Sequence, residues 1–171
     1  MIYCASVRLS VASRLLNSLL TILLVAGISI ASGVAAELPH DEGARARTVA
    51  EAYLRDKVAL WQERLNLEDW SVSLVVSQQS DLRPGTLGNI HWDADKKTAV
   101  IRVLGTSDGQ KPSQAALLDM ECTVVHELIH LELASLPKTD ASRSDEELAV
   151  VHLAAALLAL DRNDAAASAT H

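Results

Sequence analysis

The sequence predicts an α+β fold: an N-terminal helix, a small three-stranded and mainly antiparallel sheet, then a helix carrying HELIH at residues 126–130 and a C-terminal helix. Three observations predict it. Apolar residues recur at helical spacing before residue 66, they alternate with period two between residues 70 and 104, and the run from Ala115 to Leu136 contains neither Gly nor Pro.

In the first helix, expected over residues 44–66, Ala50, Leu54, Val58, Trp61 and Leu65 fall on one face of a 3.6-residue period, with Leu38 to Gly43 as a mobile lead-in. Trp70, Val72, Leu74 and Val76 then alternate with Ser71, Ser73, Val75 and Ser77, the pattern of a half-buried strand. Pro84-Gly85 marks a turn, Leu87 to Trp92 reads as a second strand, and Asp93 to Lys96 forms a hairpin loop. Thr98 to Leu104 returns as a third strand. An edge of such a sheet has unpaired backbone groups to which an extended peptide can add as a further strand; the plainer reading is a sheet that only covers the helices. Ser113 is placed to cap the motif helix and Pro137 to end it. The last helix, from about Asp145 to Leu160, is apolar nearly all round and is expected to be substantially buried.

The chain of 171 residues has room for one domain. Residues 1–36 read as a signal peptide: Arg8 and Arg14 are their only charges, an apolar run follows from Leu15 to Ala31, and Val34 to Ala36 supply small residues for cleavage before Glu37. An uncleaved anchor is the alternative, opposed by Asn17 and by the Ser and Gly residues in the run. These features predict an exported protein, periplasmic or secreted from a bacterium, with a domain over residues 37–162, a disordered tail over 163–171 and no stable membrane association after cleavage. Only Cys122 remains after such a cut, so no disulfide can form within the mature chain. The net charge of −7 and the lack of a basic run argue against nucleic acid as partner.

His126 and His130, four apart on a helix, stand one above the other, so their imidazoles can converge on one metal ion, with zinc the expected occupant. Glu127 is turned about 100° from His126, beside the metal rather than against it, where a carboxylate can take a proton from water. A catalytic zinc needs a third protein ligand. Glu146 and Glu147 open the last helix, which can run back antiparallel and bring its first turn to the histidines. Ser144-x-x-Glu147 also matches a capping box, which would leave Glu146 to ligate. Glu147 is preferred because Val151, Ala154 and Leu158 fall beneath it at helical spacing.

HELIH followed by a glutamate-rich helix start, with LAAALL six residues after Glu147, resembles the small gluzincin-type zinc metallopeptidases, including phage-associated and bacterial zinc-dependent proteases. Upstream, Leu67, Trp70, Leu87-Gly88 and Ile101 sit where those proteins, and similarly the SprT-like ones, have a tryptophan strand, a glycine and an isoleucine strand. The resemblance covers most of residues 60–160 and implies a zincin-like fold, a zinc ion and hydrolysis of a peptide or protein substrate. Such families often place Asp or Asn four residues after the ligand glutamate, where this chain has Val151.

That reading assigns His126, His130 and Glu147 to zinc and Glu127 to acid/base work, with His91, His152 and Tyr53 as candidates for stabilising an oxyanion. His152 is alternatively a support for a ligand, or an ordinary surface histidine. Cys122, one turn before His126, is either a thiolate able to occupy the open metal position or a small buried hydrophobe. The competing functions are a non-catalytic, zinc-stabilised binding module and an envelope inhibitor with incidental histidines.

Overall fold

The computed structural model describes residues 40–106, 110–137 and 143–169. The expected signal peptide lies outside the described residues. Helix α1 (His40–Arg64) buries the predicted stripe of Ala50, Leu54, Val58 and Trp61. It begins at His40, so residues 40–43 continue the helix where the sequence suggested a lead-in; an acidic residue at Glu42 suits the positive end of the helix dipole. Past its end Asn66 takes the left-handed conformation (φ 53°), and Leu67 N–H donates back to the Gln62 carbonyl at 2.8 Å. The Gln62 side chain completes the turn by donating to the carbonyls of Leu67 and Trp70.

Three strands follow, β1 (Ser71–Ser77), β2 (Gly88–Asp93) and β3 (Thr98–Leu104), where the alternation placed them. Their arrangement corrects the expectation of a mainly antiparallel sheet. The order is β1-β3-β2, with β3 parallel to β1 (Ser71 opposite Thr98) and antiparallel to β2 (Gly88 opposite Val103). Burial explains the order. Ala99, Ile101 and Val103 of β3 are the most deeply buried strand residues, so β3 takes the centre, and the long connection from 78 to 87 lets β2 pass to the outer edge. The tight turn at 94–97, with Lys97 at φ 51°, then returns the chain between its neighbours.

Helix α2 (Gln114–Glu132) starts at the predicted cap: Ser113 Oγ accepts from Ala116 N–H at 3.1 Å. Val124, Val125 and Leu128 are wholly enclosed between the sheet and α1. One acidic side chain shares that interior. Glu121, 2% exposed, accepts from Tyr53 Oη at 2.7 Å and Trp61 Nε1 at 3.1 Å, and pairs with Lys57 Nζ at 2.9 Å, so all three of its partners come from α1. A buried carboxylate is tolerable only with such partners, and these seat α2 in one position along α1.

Helix α3 (Arg143–Ser168) packs on α2 along Val150, Ala154 and Leu158, while Leu148, Leu153 and Leu160 are 57%, 47% and 60% exposed. The expectation of burial nearly all round is therefore corrected: α3 lies at the margin of the core and has one layer to pack against, so a single i, i+4, i+8 stripe is covered. The helix also continues to Ser168, which makes residues 163–168 of the expected disordered tail helical; Ala165 to Ala167 are strong helix formers. Arg64 and Asp161, 2.7 Å apart, tie α3 to the end of α1. Among the described residues no helix is long and apolar enough to cross a membrane.

Candidate metal centre

The four-residue spacing on α2 brings His126 Nε2 and His130 Nε2 to 3.2 Å from each other. The start of α3 supplies the third group, just past its first turn: Glu147 Oε1 lies 3.2 Å from His126 Nε2 and its Oε2 lies 3.2 Å from His130 Nε2. Two ring nitrogens and a carboxylate, one ligand atom from each lying within 4.8 Å of the others, form a group that could hold a metal ion. His126 and His130 are each 18% exposed at the side chain and Glu147 is 57% exposed, so the centre lies at the surface with one side open.

Electrostatics favour a ligating state. Burial holds the His126 imidazole below its ordinary pKa; the Glu147 carboxylate pulls the other way and His130 adds to the depression. A neutral ring is the form that binds metal.

Glu147 is the glutamate that reaches both histidines, as the pattern beneath it suggested, and the capping-box alternative does not apply. Ser144 lies inside α3, which begins at Arg143, so it is not the residue before the helix. Glu146 points to the other nitrogen of the second histidine: its Oε1 is 3.1 Å from His130 Nδ1.

Glu127 is turned toward the sheet and only 7% exposed. Among the described residues its carboxylate has no hydrogen-bond partner. Burial, and secondarily the charge of Glu147, raise its pKa to about 7. A carboxyl poised there can take a proton and return it near neutral pH.

The wall opposite Glu127 is the β2 backbone at Gly88. A Cβ built there would stand 2.5 Å from Thr123 Cγ2, 2.7 Å from the Arg102 carbonyl oxygen and 3.4 Å from Glu127 Oε1. Glycine is required by this close approach of strand to helix. Gly88→Ala is accordingly expected to cost about 1–3 kcal/mol, the range for overpacking a tight interior. On the expectation that Glu127 does acid/base work, it should also depress activity by displacing that carboxyl. Urea unfolding checks the first effect, and an unchanged midpoint would show that the strand has room to move.

Because Leu104 N–H donates to the Leu87 carbonyl at 2.8 Å, the antiparallel alternation turns the N–H and C=O groups of Gly88, Ile90 and Trp92 away from β3, to the outer edge of β2. That edge begins beside Glu127.

The candidates for oxyanion stabilisation are not brought to the centre. Tyr53 donates to Glu121 between α1 and α2, and burial together with that carboxylate pushes its phenol pKa up. His91 is exposed on β2, with its ring nitrogen against the Ile90 carbonyl. His152 is exposed on α3, five residues and about 140° beyond Glu147, and so supports no ligand. Cys122 is buried within α2, so the metal-capping reading gains no support. Sequence reasoning missed the placement of Glu121, whose only signal was an acidic residue amid an apolar helix, and the role of Gly88 as the wall of the site.

Comparison with protein families, with curated proteins and with solved structures finds no match to this chain.

Proposed function

We propose that this protein is an exported zinc-dependent peptidase. The observation that carries the reading is the convergence of His126, His130 and Glu147 on one point, with the otherwise unpartnered carboxylate of Glu127 beside it. A zinc ion in such a three-ligand setting acidifies water and polarises a carbonyl. Glu127 receives the proton from the attacking water and returns it to the departing amine, a role for which a pKa near 7 suits it. Gly88 and Ile90 present donors and acceptors on the side of β2 away from β3, so an extended peptide can bind there as an added strand with its backbone led past Glu127. The substrate class that fits is an unfolded or extended polypeptide. The export reading rests on the composition of residues 1–36.

The exposed leucines of α3 favour one other reading, a zinc-stapled domain that binds a partner through that helix. A structural site has no use for a buried carboxyl without partners, which sets Glu127 against it.

Metal analysis of the purified chain tests the proposal. One equivalent of zinc is expected in wild type and in Glu127→Gln, with most of it lost in His126→Ala, His130→Ala and Glu147→Ala. Hydrolysis of an unstructured protein such as casein should accompany the wild type alone. Zinc binding with no hydrolysis of any peptide offered would move the weight to the binding module.

A further inference from the structure

Resting on the zinc reading, we infer that Glu146 is a positioning residue that fixes the ring of His130 for the metal. Two adjacent glutamates on a helix point about 100° apart, so they cannot both face one target along the same direction. Here the pair divides the work on a single imidazole. Glu147 faces Nε2, and Glu146 Oε1 sits 3.1 Å from Nδ1. An imidazole that ligates through Nε2 carries its proton on Nδ1, and a carboxylate held at Nδ1 selects that tautomer and sets the plane of the ring.

Exposure distinguishes the two glutamates in the same sense. Glu146 is 17% exposed against 57% for Glu147, so it is the one packed into the structure, with its charge directed at the His130 ring. The two histidines are not treated alike: among the described residues His126 has no acceptor at its Nδ1. The support is therefore specific to His130, which lies in the last turn of α2, and it comes from the first turn of α3, next to the residue read as the third ligand. Helix α3 thereby both completes the metal site and orients one of the ligands already in it.

The test compares wild type with Glu146→Gln, Glu146→Ala and Glu147→Gln by competition against a zinc chelator, with cobalt absorption spectra on the same proteins. Glu146→Ala should keep one equivalent of metal but bind it 10- to 100-fold more weakly, the usual effect of losing such an outer partner. Glu146→Gln should fall between it and wild type, because the amide oxygen still accepts from Nδ1–H. The cobalt band positions should stay as in wild type for both, and should shift only for Glu147→Gln. Equal zinc affinity in wild type and Glu146→Ala would overturn the inference while leaving the zinc site intact. A cobalt spectrum altered by Glu146→Gln as strongly as by Glu147→Gln would make Glu146 a ligand and overturn it differently. Wild type that takes up no zinc would overturn both this inference and the function it rests on.

Discussion

Glu127→Gln is expected to abolish peptide hydrolysis, by 10²- to 10⁴-fold, while zinc content stays at one equivalent. The amide is nearly isosteric and keeps the contact with the Gly88 wall, but it cannot accept a proton from water. The same substitution should stabilise the metal-free fold. The folded-state pKa of Glu127 is raised from 4.5 to about 7, so between these values the unfolded chain gives up its proton while the folded chain holds it, and wild type loses stability as the pH rises. Above about pH 7 that deficit is complete, on the order of 3 kcal/mol from a shift of this size. Glutamine carries no charge to desolvate. Chelator-treated Glu127→Gln should therefore unfold at higher urea than wild type at pH 8 and at nearly the same urea at pH 4. A variant that is less stable at pH 8 and still hydrolyses peptide would remove Glu127 from the mechanism.

Lys57→Met is the second large effect. It keeps most of the aliphatic stem but strips the cation from Glu121, leaving a carboxylate 2% exposed with only the Tyr53 hydroxyl and the Trp61 N–H to hold it. Breaking a fully buried pair costs 3–5 kcal/mol; Lys57 is 24% exposed, which discounts the expected loss to about 2–3 kcal/mol. Adding Glu121→Gln should recover more than half of it, because the amide oxygen still accepts from Trp61 Nε1–H, the NH2 can donate to the Tyr53 hydroxyl oxygen, and no buried charge is left. The pair of urea titrations decides between charge and packing: if the double variant is no better than Lys57→Met, the loss lies in the lysine stem and not in the stranded carboxylate.

Much of this was legible in the sequence where a local pattern has one physical meaning. The i, i+4 histidines, the Ser113 cap and the period-two runs at 70–76 and 98–104 each place residues within an element, and each was found where expected. What the patterns leave open is how elements meet. Alternation states that Ile101 and Val103 are buried, but not that β3 lies between β1 and β2. Composition shows α3 to be apolar, but not that it finds only one neighbour to cover it. The choice between Glu146 and Glu147 turned on where α3 begins, a boundary that helical periodicity defines poorly. Glu121 was overlooked for a related reason: its partners lie on another helix, some sixty residues away in sequence, and nothing local marks them.

The narrow seat of α3 gives the metal a second meaning. Three side chains, Val150, Ala154 and Leu158, carry the helix's fully buried contact, and on the zinc reading Glu147 near its start contributes a ligand. Docking of the helix and capture of the ion are then one linked equilibrium, since an ion that binds only the docked arrangement adds its own binding free energy to it. On the proposed reading the protein would be a clasp with the zinc as its pin. Scarcity of the free ion would then loosen it at the end of the molecule that carries Leu148 and Leu153, and plenty would close it into the form proposed to hydrolyse peptides.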